Sequence, residues 1–249
     1  MGGGEKPQLI RQDGKRNDGR GPQDLRPLKI TAGILGKASG SALVEWGRNK
    51  VLCGVYGPRE VFPKHMTDPY KAIIQCKYMM APFSSQEEHG RAGPNRRAME
   101  INKVAKHVFE NVVLTNEFPK TMINITMEVL QSDGGTRVAA ITGASVALAD
   151  AGIPMKDLVQ GVSVGLIEGH QVVDLDKIED NFGDCDTPAV VSLRTNEVLL
   201  YQMDATQMLT HDLVKNGLEM TFEAAKKIRA IQEKALADRF DRKEPVKKW

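Results

Sequence analysis

Residues 122–154 read MINITMEVLQSDGGTRVAAITGASVALADAGIP, and this single run holds a strand, a turn and a helix. Ile123, Ile125, Met127 and Val129 alternate with Asn124, Thr126 and Glu128, the period-two pattern of a strand buried on one face. Gly134-Gly135 interrupts it. Val138 to Asp150, rich in small residues, then predicts a helix closed by Gly152 and Pro154.

Working outward, the same alternation of strands and helices appears on both sides. Upstream, strands are expected from Leu28, at Ser41–Trp46, at Val51–Tyr56 and over Ala72–Met80, followed by a loop from Pro82 to Asn95. Ile101, Val104, Ala105, Val108, Phe109 and Val112 then mark one face of a helix. Pro94 and Asn95 suit its start. Downstream, strands are expected at Val159–Glu168 and Gln171–Leu175 around a Gly169-His170 turn, then at Ala189–Leu193 and Val198–Asp204. A long last helix carries Leu213, Val214, Leu218, Phe222, Ala225 and Ile228 on one face. Strands followed by a helix, twice over, predict an α/β (α+β) fold with an internal duplication. The domain reading is an N-terminal arm over residues 1–26, polar and loosely packed, and one duplicated domain over 27–249.

Composition narrows the function. Of 249 residues, 41% are hydrophobic and 27% charged, as in ordinary water-soluble domains. No apolar run approaches the roughly 20 residues that span a bilayer, and no signal peptide is read at the start, so a cytoplasmic location with no membrane partner is expected. Cys53, Cys76 and Cys185 have no metal-ligand spacing and cannot all pair. A net charge of +2 does not announce a nucleic-acid binder, so any such contact must come from local clusters. Two exist, each with a solvated-surface alternative: Arg11, Lys15, Arg16, Arg20 and Arg26, and Arg91, Arg96 and Arg97.

Three segments could carry chemistry. In Ser132–Arg137 the glycines allow close approach, the following helix opens with free N–H groups that hold an anion, and Thr136 and Arg137 add a hydroxyl and a fork for phosphate oxygens. The alternative is an ordinary turn with an exposed arginine. In Glu179–Asp186 clustered carboxylates repel unless one keeps a proton or a cation joins them. Either state serves phosphoryl transfer, through an acid or through a magnesium site; the alternative is a solvated acidic loop. Arg96-Arg97 stand at a helix start, where the dipole disfavours them unless an anion lies close.

Read together, these segments resemble the RNase PH family, and within it the catalytic ring subunits of the archaeal exosome. The matching runs include Arg16-Asn17-Asp18-Gly19-Arg20, Leu25-Arg26-Pro27, Met80-Ala81-Pro82-Phe83-Ser84, Arg96-Arg97, Asp133-Gly134-Gly135-Thr136-Arg137, Asp180-Asn181-Phe182-Gly183 and Gln202-Met203-Asp204. Ser132 and Gly143 depart from a more usual alanine, and Cys185 from a smaller residue. The resemblance implies a duplicated βαβα fold, like the second domain of certain ribosomal proteins, assembled into a hexameric ring. It implies a phosphate-dependent 3′-to-5′ exoribonuclease that releases nucleoside diphosphates and can run in reverse to add 3′ tails. Inorganic phosphate, as co-substrate, would lie on Gly135, Thr136 and Arg137. Asp180 would be the general acid or a magnesium ligand, with Asp186 as its partner in either role. Arg96 and Arg97 would grip single-stranded RNA, and Lys64 and His65 would guide it nearer the pore. The implied partners are a non-catalytic RNase PH-like subunit, in a trimer of heterodimers, and RNA-binding cap proteins. Two alternatives stay open: a stand-alone RNase PH trimming tRNA 3′ ends, and a non-catalytic RNA-binding ring subunit.

Overall fold

A computed structural model describes residues 7–86, 96–206 and 208–241; the expected helix start at Pro94-Asn95 and the basic residue Arg91 lie outside them. The first half contains β1 (Leu28–Ala32), β2 (Gly40–Trp46), β3 (Asn49–Glu60), β4 (Ile73–Met80), α1 (Arg96–Val112), β5 (Thr121–Gln131) and α2 (Thr136–Asp150). The second contains β6 (Val159–Ile167), β7 (His170–Val173), α3 (Lys177–Phe182), β8 (Cys185–Ser192), β9 (Glu197–Tyr201), β10 (Asp204–Ala205) and α4 (His211–Phe240). The first sheet has the order β1-β2-β3-β5-β4, antiparallel except for the parallel pair β4 and β5 that α1 connects. The second has the order β10-β8-β6-β7, with β9 also paired to β8. Short α3 joins β7 to β8 as α1 joins β4 to β5, so both halves run strand, helix, strand, helix.

The main core lies between the sheets. Helix α2 packs on β2 and β3 of the first sheet and on β6 of the second, while α4 packs on β1 and β6. A helix buried on nearly every side must be apolar or small all round, and α2 is buried at Thr136 and from Val138 through Leu148. Its small residues let the sheets close in: a Cβ at Gly143 would stand 2.5 Å from Val44 Cγ2 and 3.0 Å from Cys53 Sγ. That contact accounts for glycine where alanine was expected. Gln232 on α4 is fully buried and satisfied, donating to the carbonyls of Thr142 (3.1 Å) and Val159 (3.0 Å) and accepting from Gln160 (2.8 Å).

Four local expectations change. The segment before β1, mostly exposed over its described part, is nonetheless pinned at a few buried residues. Leu9 and Ile10 are buried, their N–H groups donating to the Glu168 carboxylate at 2.9 and 3.2 Å. Nor is the first arginine cluster all surface: Arg11 and Lys15 are exposed, but Arg16 and Arg26 are buried. Arg16 is wholly buried, donating through Nε to Glu179 at 2.7 Å, and Arg26 is buried against Asp174 at 2.6 Å. The turn after β6 is Glu168-Gly169, both with positive φ, one residue earlier than read, because two left-handed positions match the twist of a tight hairpin. The strand expected over Val198–Asp204 is broken at Gln202-Met203 into β9 and β10.

The candidate active site

Glycine builds the first wall of the site. Gly134 and Gly135 have φ of 73° and 68°, a left-handed pair that turns the chain from β5 into α2. A Cβ on Gly134 would lie 2.5 Å from the Asp176 carbonyl carbon and 2.7 Å from the Lys177 nitrogen. The turn therefore touches the backbone just where α3 begins. Asn49 fixes it from the other side, donating to the Gly134 carbonyl at 2.6 Å and accepting from Asp133 N–H at 2.6 Å. Arg26 adds hydrogen bonds to the Asp133 and Gly134 carbonyls. Helix α2 has no side-chain cap, and its first bond runs from Ala139 N–H to Gly135 O at 3.1 Å. The N–H groups of Thr136, Arg137 and Val138 thus open the helix without an acceptor within it.

The acidic run is not one loop but three different environments. Asp176 caps α3, accepting from the N–H groups of Ile178 (2.8 Å) and Glu179 (2.9 Å), while Glu179 accepts from Asp176 N–H at 2.9 Å. This reciprocal box was legible as Asp-x-x-Glu and is the signal that would have found α3. Glu179 is buried on Arg16, and Asp184 accepts from Glu168 N–H at 3.1 Å. That leaves Asp180, on α3, beside Asp186, on β8. Burial, followed by the Asp180 carboxylate, pushes Asp186 up to about 7, against the pull of Arg137. A carboxylate beside it in a buried setting makes Asp186 hold its proton more tightly than a lone aspartate would.

Arg137 closes the ring of contacts. It hydrogen-bonds the Gln202 side chain and lies 3.9 Å from Glu100, which itself accepts from Gln202 Nε2 at 2.8 Å. The break between β9 and β10 therefore serves the site: it turns Gln202 onto Arg137 and sets Asp204 opposite Asp186 in register. Thr136 is buried and its hydroxyl meets Tyr78 OH at 2.9 Å. Its side chain faces inward, leaving its N–H for a ligand.

The structure thus brings together Gly135, Thr136, Arg137, Asp180 and Asp186. Arg96 and Arg97 are exposed at the start of α1; burial pushes the Tyr78 hydroxyl up, with the Thr136 hydrogen bond and the Arg97 charge pulling against it. Lys64 and His65 lie elsewhere, in an exposed 3₁₀ turn after β3. Glu60 pairs with Thr121 at the far end of β5 from the site, and 11 residues of strand span roughly 35 Å. Sequence reasoning gave no role to Asp204, Gln202, Glu100 or Tyr78. Among the described residues no three metal-binding side chains stand together.

Residues 24–154 match the first domain of the 3′ exoribonuclease family, and residues 157–224 match its second. The chain belongs to the RNase PH family of 3′ exoribonucleases. The division falls where α2 gives way to β6. RNase PH relatives include the exosome complex component Rrp41 of Thermoplasma acidophilum, 46% identical over 235 residues, which are 94% of this chain and 94% of that protein. The Rrp41 of Thermococcus kodakarensis is 48% identical over 240 residues, 96% of this chain and 95% of that one. Among solved structures, rice Rrp46 superposes with a TM-score of 0.78 at 25% identity, covering 89% of this chain and all of that one. The fold is also that of a chain in the Archaeoglobus fulgidus exosome with RNA bound to the active site, at a TM-score of 0.76 and 24% identity, over 88% of this chain and 93% of that one.

Proposed function

We propose that the chain is the catalytic subunit of an exosome-type ring and shortens RNA from its 3′ end by phosphorolysis. The observation that carries this reading is the meeting of two carboxyls, Asp180 and Asp186, with Arg137 at the uncapped start of α2. An acid and an anion cradle on one small surface are what phosphorolysis requires. The names of relatives nearly half identical over the whole chain support the same reading.

In this reaction an oxygen of inorganic phosphate attacks the last phosphodiester phosphorus. The bond to the 3′ oxygen of the preceding nucleotide breaks, and a nucleoside diphosphate leaves. Three anionic groups must converge, so the protein's task is positioning and charge neutralisation. The α2 N–H groups and Arg137 hold the attacking phosphate, and Arg96 and Arg97 hold phosphates of the RNA. The carboxyl pair delivers its proton to the departing 3′ oxygen. One phosphoric bond replaces another, so the reaction runs backward when diphosphates are plentiful.

Magnesium fits Asp180 and Asp186, because such sites take one or two carboxylates and complete themselves with water and substrate phosphates. The ion would neutralise charge on the phosphates and the leaving oxygen. Its binding requires Asp186 to give up its proton.

Lys64 and His65, remote from the corner, would guide single-stranded RNA on its way in. A ring of three such chains alternating with three non-catalytic RNase PH-like subunits, with RNA-binding cap proteins on one face, is the assembly proposed. The buried free thiols of Cys53, Cys76 and Cys185 suit the cytoplasm, and no helix among the described residues is long and apolar enough to cross a membrane. The test is to incubate the assembled protein with a 3′-end-labelled single-stranded RNA. Nucleoside diphosphates formed only when phosphate is present are expected. Monophosphates formed without phosphate would replace phosphorolysis by hydrolysis, and no shortening at all would leave a non-catalytic ring subunit.

A further inference from the structure

Helix α3 carries Asp180 and is only six residues long, too short to hold its own direction. Something else must aim it. One restraint is the contact of its first residues with Gly134 described above. The other comes from the opposite end of the sequence. Arg16 is wholly buried and forks onto both carboxylate oxygens of Glu179, the residue before Asp180. The same guanidinium donates to the carbonyls of Val173 (2.7 Å) and Asp174 (2.8 Å), at the end of β7. Arg20, also from the N-terminal segment, donates to the Asp174 carbonyl at 2.9 Å and reaches Glu179 at 3.7 Å. Arg16 thus ties the strand before α3 to the middle of α3 with a planar fork whose donors leave little freedom of angle.

A buried ion pair adds little net stability over apolar residues of the same size, so stability alone is a poor account of this one. We propose that Arg16, acting through Glu179, is a positioning residue for Asp180, setting where its carboxyl stands relative to Asp186 and the α2 corner. The N-terminal segment is then part of the catalytic apparatus without touching substrate. The inference rests on the phosphorolytic reading and deepens it.

The test compares three proteins in their ring assembly: the unaltered chain, Arg16→Lys, and the double variant Arg16→Met with Glu179→Gln. Glutamine retains the capping box, methionine fills the arginine stem, and neither leaves an orphan charge. The double variant is expected to keep its melting temperature, its RNA affinity and its KM for phosphate. Its kcat should fall about tenfold to a hundredfold, the scale of a misplacement near 1 Å. Arg16→Lys, which retains the buried charge but not the fork, should fall in between. A folded double variant with unaltered kcat overturns the inference while leaving the phosphorolytic reading intact. If the double variant does not fold, Arg16→Lys decides: a lower kcat at unchanged melting temperature supports positioning, and an unchanged kcat refutes it. Loss of phosphate-dependent turnover in the unaltered chain would instead overturn the functional reading, and the inference with it.

Discussion

At the scale of single residues, the site turns on where one proton sits. Replacing Asp180 by alanine is expected to abolish phosphate-dependent shortening while RNA still binds, since Asp180 lies on α3 rather than among the exposed arginines of α1. Retained turnover in that variant would remove Asp180 from the chemistry. Asp186 makes a stability prediction with a definite sign. Its folded value is raised from 3.8 to about 7, so between those limits the folded chain binds more protons than the unfolded one. Stability from this group is complete below about pH 4 and is lost as the pH rises through about 7. Asp186→Asn, which mimics the protonated form, should therefore melt higher than the unaltered chain at pH 8, with the gap closing toward pH 4. Chelator-containing buffer isolates the proton from any metal. Parallel melting curves across that range would show that Asp186 does not hold its proton more tightly than a lone aspartate.

Elements set the geometry within which those residues act. The site is assembled from the ends of α1, α2, α3, β8 and β10, and the turn at Gly134 meets the backbone entering α3. Gly134→Ala forces a Cβ against the backbone entering α3 at positive φ, and we expect a loss of about 1–3 kcal/mol in a denaturant titration together with lower turnover. An unchanged midpoint would mean α3 can move aside freely. Arg96 and Arg97 belong to the exposed start of α1, where the helix dipole gains nothing from them. Arg96→Glu with Arg97→Glu should leave the helix folded, weaken RNA binding, and flatten its log–log salt dependence by roughly 1.4 for two lost phosphate contacts. An unaltered salt slope would return both to the status of solvated side chains.

For the whole molecule, the open question is what covers its surface. Phe62, Tyr70, Phe83, Met208 and Phe240 are large apolar side chains well exposed in the single chain. Co-expression with a companion RNase PH-like subunit is expected to move the chain into a larger particle by light scattering and to raise its turnover. An active hexamer of this chain alone would favour the stand-alone RNase PH reading.

Two kinds of information built this protein. Local patterns, period two in β5, period 3.6 in α1 and α4, and paired glycines between β5 and α2, were legible along the chain because each depends only on near neighbours. Asp-x-x-Glu at the start of α3 is equally local, though it stands among many other carboxylates. Ordered motifs spread over the chain were enough to point to the family, since order and spacing survive translation into a string. The partnership of Asp180 with Asp186 came only through the family resemblance, and the burial of Arg16 and Arg26 and the contact of Gln202 with Arg137 were beyond sequence reading. Each joins residues from distant parts of the chain, and whether a charge meets water, an opposite charge or a like one is settled only when the two sheets close around α2.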